Sequence, residues 1–481
     1  MTEVDLYAIL PLIVVVGWAI GLMVVDLWIP KQRKGITALL AAFGLAVALG
    51  FALAQGSYVT TGMGGMIVVD GFAVSLNVIF LASGLAGIAL AYDYLKRMNI
   101  ERGEFYLLLM FSVSGMMLMA YAYNLIIVFL ALELLSIPLY ILSGFARPRV
   151  DSEEAALKYF LLGSFASGFV LYGTALIYGA TGSTDLVAIS QGVTAGKANL
   201  FLFLMGAALF LVGFGFKVAA VPFHRWAPDV YQGAPSPVTG FMSIAVKAAG
   251  FAALLRVFIT AFSGLSADLT PVLYVLAALT MIAGNVLAIA QTNIKRLLAY
   301  SSIANAGYLL MAFVPYGNGN VLGDSVASAL FFLVGYGLTS LGAWAVVVVL
   351  EQTEGKGLEL NDFAGLSRKH PWLALAMLIF MLSFTGVPLT LGFWGKFYLF
   401  RTAMMGGYIS LALIGLLTSI ISAYYYLRVV VIMYMRPGEP VVAQDVWARF
   451  TAVIMAALVL IFGFIPGPLL AIATRAILRL Q

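Results

Sequence analysis

Apolar runs of about 20 residues, each long enough to cross a bilayer, follow one another along this chain with only short polar connections between them. That pattern admits very few architectures. At membrane depth every backbone amide and carbonyl must be bonded within the protein, so only helices and closed barrels can span. Barrel strands alternate apolar and polar residues, whereas the runs here are continuous, and helices are therefore expected. Hydrophobic residues make up 63% of the 481 and charged residues only 10%, against roughly 25% charged in soluble domains. The expected spans are 7–28, 36–55, 72–92, 105–121, 124–145, 155–179, 202–231, 238–261, 271–290, 294–314, 326–350, 371–405, 406–434 and 447–473. The chain reads as an all-α polytopic membrane protein of about 14 transmembrane helices.

The net charge of +5 is a topology signal. With the N-terminus outside, sixteen of the 26 Lys and Arg residues fall in connections on one side, among them Lys31, Arg147, Arg149, Arg368 and Lys369. Four fall on the other side and six within spans. Basic residues favour the cytoplasmic side, so this split orients the chain with its N-terminus periplasmic. Nothing in it points to nucleic acid. The absence of cysteine excludes thiolate ligation of iron–sulfur clusters, disulfides and thiol catalysis. The N-terminus carries Glu3 and Asp5 instead of a basic region, so no cleavable signal peptide is expected.

Two expected spans are too long to be simple helices. The segment from Leu202 to Val230 is broken at Val221-Pro222, and the one from Pro371 to Arg401 at Gly386-Val387-Pro388-Leu389-Thr390-Leu391-Gly392. Proline removes a donor and clashes with the preceding turn. Lys217 precedes the first break and Lys396 follows the second. Paired interrupted helices in corresponding positions point to an inverted repeat with its site near the midplane. The breaks fall in the seventh and twelfth spans, five apart. Four parts are expected: three leading helices (1–104), a first five-helix repeat (105–262), a second (263–435) and a final helix (436–481).

Charged side chains inside apolar segments each cost about 2.5–3.5 kcal/mol at the bilayer centre, and they mark functional sites. Five stand out: Glu133, Lys158, Lys217, Lys247 and Lys396. Glu133, near the middle of the fifth span, needs a countercharge if ionised, and Lys158 on the next span is its expected partner. Lys158 is only about 9 Å into its helix, so snorkelling to the interface is the competing reading. Lys217 and Lys247 lie too deep for that. His224 follows the first break, where an imidazole suits proton relay or simply satisfies the break. His370 is read as interfacial, and Arg256 and Arg428 as snorkelling from span ends. A carboxylate about 7 Å from a lysine contributes roughly 2.4 kcal/mol at an effective dielectric of 20, enough to switch whether the lysine holds its proton.

With these residues in place, the whole chain resembles the antiporter-like subunits of respiratory complex I, which are similar to Mrp-type sodium/proton antiporter subunits. The most specific stretch runs from Phe214 to Pro235 and includes Lys217, Val221-Pro222-Phe223-His224-Arg225-Trp226-Ala227-Pro228-Asp229 and Gln232-Gly233-Ala234-Pro235. A lysine at 396 and an end after about fourteen spans, without a long lateral amphipathic helix, match the shorter branch of that family. The resemblance implies two inverted five-helix bundles and a proton-translocating role. It also implies that Glu133 and Lys158 form the coupling ion pair, that Lys217 gates, that His224 and Lys247 connect, and that Lys396 ends the path. No redox cofactor is implied in this chain; NAD, FMN, iron–sulfur clusters and quinone would belong to partner subunits. The implied partners are neighbouring antiporter-like and small hydrophobic subunits in a bacterial inner membrane. Two competing readings are an Mrp-type sodium/proton antiporter subunit and a structural scaffold whose buried charges only specify packing.

Overall fold

The computed structural model describes residues 3–476 apart from Ser57. The leading part comprises α1 (Glu3–Ala8), α2 (Leu10–Asp26), α3 (Gly35–Gln55) and α4 (Gly71–Arg97). Between α3 and α4 lies a small antiparallel hairpin, β1 (Thr60–Gly62) and β2 (Ile67–Val69), with Thr60 opposite Val69. Next come α5 (Glu104–Tyr121), α6 (Leu125–Ser143), α7 (Val150–Thr181), the short α8 (Leu186–Thr194), α9 (Leu200–Lys217), α10 (Trp226–Gly233) and α11 (Ser236–Thr260). Then follow α12 (Ser266–Ile289), α13 (Ile294–Met311), α14 (Leu322–Leu350), the single turn α15 (Leu366–Lys369), α16 (Pro371–Thr385), α17 (Leu391–Met405) and α18 (Ile409–Met435). The described chain closes with α19 (Val446–Phe464) and α20 (Gly467–Arg475). Among the described residues, 11 helices are long and apolar enough to cross a membrane.

Both expected helix breaks are present, between α9 and α10 and between α16 and α17. The expected last span is two helices instead of one, because Ile465-Pro466 ends α19 before α20 begins. The hairpin and α8 carry no expectation from hydropathy, since both sit in connections too short to register as spans. Helix starts are capped as the sequence allows: Asp70 accepts from the Ala73 amide at 2.8 Å and Asn124 from that of Ile126 at 2.9 Å. Such caps satisfy amides that would otherwise have no partner.

The core lies around α11, all 25 residues of which are buried. Small residues let its neighbours close in, the usual device where lipid removes any hydrophobic drive between helices. A Cβ on Gly115 of α5 would stand 2.3 Å from the Leu135 amide of α6, and one on Gly284 of α12 would stand 2.5 Å from that of Ala304 on α13. Those two helix pairs are therefore in backbone contact.

Two charge clusters pin this arrangement. Arg256, near the end of α11, does not snorkel as expected. It is 1% exposed and donates to both Asp70 carboxylate oxygens at 2.9 Å and to the Ala120 carbonyl at 3.0 Å. The reason is local: Asp70, standing just before α4, brings a carboxylate to it inside the protein. Arg428 instead donates to the Ile289 and Gln291 carbonyls at the end of α12. At the other end of α4, Arg97 bonds Asp445 just before α19 and the Val348 and Glu351 carbonyls at the end of α14. Removing one partner of a buried pair costs about 3–5 kcal/mol, whereas replacing both by apolar groups is close to neutral. Asp70→Asn should therefore sharply lower the thermal stability of the purified protein in detergent, and Asp70→Asn with Arg256→Met should recover most of the loss. Equal melting of the single and double variants would contradict this account.

Candidate functional site

The first break puts an ammonium at the end of a half-helix. α9 terminates at Lys217, and Ala219 takes a left-handed conformation (φ 58°) that turns the chain. The Val221 amide, freed by the unwinding, donates to Thr280 Oγ1 of α12 at 2.9 Å. Trp226 donates from its indole to the Phe216 carbonyl at 2.9 Å and stacks on Tyr159 with ring centres 4.7 Å apart. Lys217 is 3% exposed. Its Nζ donates to Ser136 Oγ of α6 at 2.8 Å and to Tyr159 OH at 3.3 Å. A positive charge is favoured there by the negative end of the α9 dipole. Glu133 lies three residues before Ser136 on α6, on the same face, and interacts electrostatically with Lys217.

Lys158 occupies a different place. Its side chain is 40% exposed and pairs with Glu154 at 2.7 Å and Asp229 at 2.8 Å. The expected Glu133–Lys158 pair is absent among the described residues: α10, on the far side of the break, brings Asp229 to Lys158, and the lysine on which Glu133 acts electrostatically is Lys217. Asp229 is shared with Arg296 of α13, whose Nη1 lies 2.8 Å from its other oxygen. His224 lines the same open cavity of about 630 Å³ with Lys158, Asp229 and Arg296. His224 and Lys158 thus share one cavity wall.

From Lys217 the polar interior continues through α11. Gly250, one turn after Lys247, packs against the end of α9: a Cβ there would stand 2.8 Å from Val218 Cγ1. Lys247 Nζ donates to the Ser302 carbonyl of α13, and Tyr336 OH of α14 donates to Ser302 Oγ at 2.9 Å. Tyr336 in turn lines a cavity of about 10 Å³ with Asn305, Thr339, Ser383 and Lys396, room for about one water. Lys396 closes the line. Its Nζ donates to the Phe384 and Thr385 carbonyls of α16 at 2.8 and 3.1 Å and to Ser419 Oγ of α18 at 2.8 Å. Beside it, Tyr308 bonds Thr418 and Asn285, and Asn285 bonds Tyr425.

Both breaks therefore set an ammonium at the carbonyl end of their first half-helix. Lys217 is itself the last residue of α9; Lys396, on the second half-helix, reaches back onto α16. His370 lies half-buried just before α16, where burial and the nearby Arg449 and Lys369 charges hold its pKa below the usual histidine value. Of the residues that complete the line, Asp229 had the same visible signal as the five singled out, an acid in an apolar stretch. Ser136, Ser302, Tyr308 and Tyr336 had none, because hydroxyls are common in membrane helices. No group of three or more His, Cys, Asp or Glu side chains converges among the described residues.

A helical membrane bundle with two interrupted helices, each with a buried lysine at its break, is the architecture of ion-translocating membrane subunits. The family described as NADH:quinone oxidoreductase/Mrp antiporter, transmembrane, matches residues 122–422. The NADH-quinone oxidoreductase subunit N of Chloroflexus aggregans is 46% identical over 99% of this chain and 98% of its own. That of Trichlorobacter lovleyi is 46% identical over 98% and 97%. Among solved structures, a chain of respiratory complex I from Thermus thermophilus aligns with a TM-score of 0.84 at 38% identity, covering 96% of this chain and 99% of that one. A chain of the Mrp complex from Dietzia shares the fold, with a TM-score of 0.87 at 19% identity over 99% and 97%. The chain belongs to the NADH:quinone oxidoreductase/Mrp antiporter transmembrane family, in its subunit N branch.

The bond from Val221 to Thr280 offers a test of how the first break is held. Leaving a buried donor unsatisfied costs about 1–3 kcal/mol. Thr280→Val should therefore lower the melting temperature of the purified protein measurably more than Thr418→Val, whose hydroxyl accepts from Tyr308 at 3.3 Å. Equal losses would show that the break does not depend on α12.

Proposed function

We propose that this chain is a proton-translocating subunit of the membrane arm of an NADH–quinone oxidoreductase, with NAD, FMN, iron–sulfur clusters and quinone handled by partner subunits. The carrying observation is the buried line from Lys217 through Lys247, Ser302 and Tyr336 to Lys396. None of the three lysines makes an ion pair among the described residues, and all are nearly solvent-free. Their hydroxyl partners, Ser136, Tyr159 and Ser419, can accept from an ammonium or donate to a neutral amine. Lys217 and Lys396 can thus be accommodated with or without their protons, which is what a relay requires.

In this reading the driving signal is electrostatic. A carboxylate moved to about 7 Å from an amine contributes roughly 2.4 kcal/mol at an effective dielectric of 20. Glu133 is positioned to act on Lys217 in that way. The Lys158–Asp229–Arg296 cluster, beside His224, provides a charged vestibule at the half-exposed end. Lys396 is the terminal site.

The same reading gives the chain fourteen crossings. Beyond the 11 long apolar helices it counts α2, the buried and more polar α13, and the α16–α17 pair, while α10 completes the crossing begun by α9. It also pairs α5–α6 with α12–α13 and α9–α10 with α16–α17 as two inverted five-helix repeats. Support comes from the glycine-mediated backbone contact in both helix pairs and from the ammonium at the same end of both breaks. The parts are then 1–104, 105–262, 263–435 and 436–481, in a bacterial inner membrane with the N-terminus periplasmic. Tags inserted at 31–34, 147–149 and 368–369 should report cytoplasmic and a tag after Gln481 should report periplasmic; a single reversal would break the fourteen-span topology.

Arginine keeps the positive charge but does not deprotonate in proteins. In the assembled complex, Lys217→Ala and Lys217→Arg should both cut pumping-coupled quinone reductase activity by more than half, with peripheral electron transfer unchanged. Near-normal pumping by Lys217→Arg would rule out proton release at this amine. Recovery of the chain alone as a working sodium/proton exchanger in liposomes would favour the antiporter reading instead.

A further inference from the structure

On the flank where the leading helices meet the last ones, a half-open cavity of about 640 Å³ lies between α3, α4, α14, α19 and α20. Its size is within the roughly 300–1,000 Å³ of small-molecule sites. Val78, Leu338, Leu341, Leu458 and Phe462 make its walls apolar. Leu53 and Ile472 at the rim are 59% and 60% exposed, so it opens outward. Among the described residues the only charged one in its lining is Arg475, in the last turn of α20. No carboxylate pairs with Arg475 among the described residues.

We propose that this cavity is a phospholipid site, one acyl chain filling it and an anionic phosphate pairing with Arg475. Three observations carry this. The walls are formed by α4, α14 and α19, all apolar enough to cross a membrane, and lipid tails are as apolar as leucine. An apolar cavity whose described lining holds one cation matches an amphiphile with one anionic group, because a guanidinium pairs with phosphate oxygens. The mouth is itself apolar, with Leu53 and Ile472 both exposed there, as entry from the hydrocarbon side requires.

The floor of the slot gives the lipid a role that rests on the relay proposed above. Ile244 of α11 and Gly337 of α14 form it, and a Cβ on Gly337 would stand 2.9 Å from Ile244 Cγ1. Immediately beneath are the Ser243–Ser340 hydroxyl bond of 2.7 Å and Tyr336, which serves Lys247 through Ser302. A filled slot seals the middle of the relay against water from this flank.

The test uses the whole complex, purified in mild detergent, with subunits released for native mass spectrometry and bound lipid identified. Wild type should release this chain with one anionic phospholipid. Arg475→Glu and Leu338→Trp should each lower that retention about tenfold, a change of about 1.4 kcal/mol in binding. Should Leu338→Trp fail to assemble, Ala82→Trp at the exposed rim blocks the same slot. Unchanged retention in Arg475→Glu and the tryptophan variant would overturn the proposal. So would an isoprenoid quinone in place of phospholipid, or crosslinking of a partner helix into the slot. Lipid retention reads the site whether or not the chain translocates protons. Faster decay of the proton gradient in proteoliposomes of the variants reads the sealing role separately.

Discussion

An unwound helix inside a bilayer exposes carbonyls and amides where no water can bond them, and the interior of this protein is organised around meeting that demand twice. The cheapest way to neutralise the carbonyl end of a half-helix is a cation, since the helix dipole already places negative potential there. Lys217 and Lys396 occupy those ends, and Thr280 takes the stray amide of the first break. The same groups that stabilise the breaks are the ones that can exchange protons. A conduction path and a structural repair are therefore the same atoms, which explains why neither lysine could be exchanged for an apolar residue on packing grounds alone.

Much of this was legible in the sequence because the bilayer imposes long-range regularities on local composition. The helical membrane class, both breaks and the deep lysines follow from hydropathy and from proline at 222 and 388. Pairing was less legible. Glu133 and Lys158 stand on consecutive helices, yet the carboxylate that meets Lys158 comes from Asp229, 71 positions along the chain. Arg256 shows the same limit: its position near a helix end suggested snorkelling, and only the fold brings Asp70 to it across 186 positions. Hydroxyl partners such as Ser302 and Tyr336 were invisible for a different reason. Serine and tyrosine cost little in a membrane helix, so their presence carries no signal until a neighbour gives them a partner.

The two breaks are alike in charge and different in bonding, and the difference has chemical meaning. Lys217 bonds only side-chain hydroxyls, each able to reverse its direction. Lys396 bonds two carbonyls, which can only accept, and one hydroxyl. Without its proton Lys396 keeps two N–H donors, enough for both carbonyls, and the Ser419 hydroxyl must turn to donate to the freed lone pair; Lys217, with two hydroxyl partners, can reorganise through either. The second site is thus tied to the backbone carbonyls of its half-helix in a way the first is not.

The Arg97 clamp bears on how motion could pass through such a protein. One guanidinium ties the end of α4 to the end of α14 and to the residue preceding α19, with bonds in three directions. No single one of these elements can tilt without stripping acceptors from a guanidinium that is mostly withdrawn from solvent. At that end α4, α14 and the start of α19 form one mechanical body. A signal crossing the chain would then travel as a sequence of small side-chain and proton displacements inside a stiff frame, as in an electrical relay, and not as the swing of a lever.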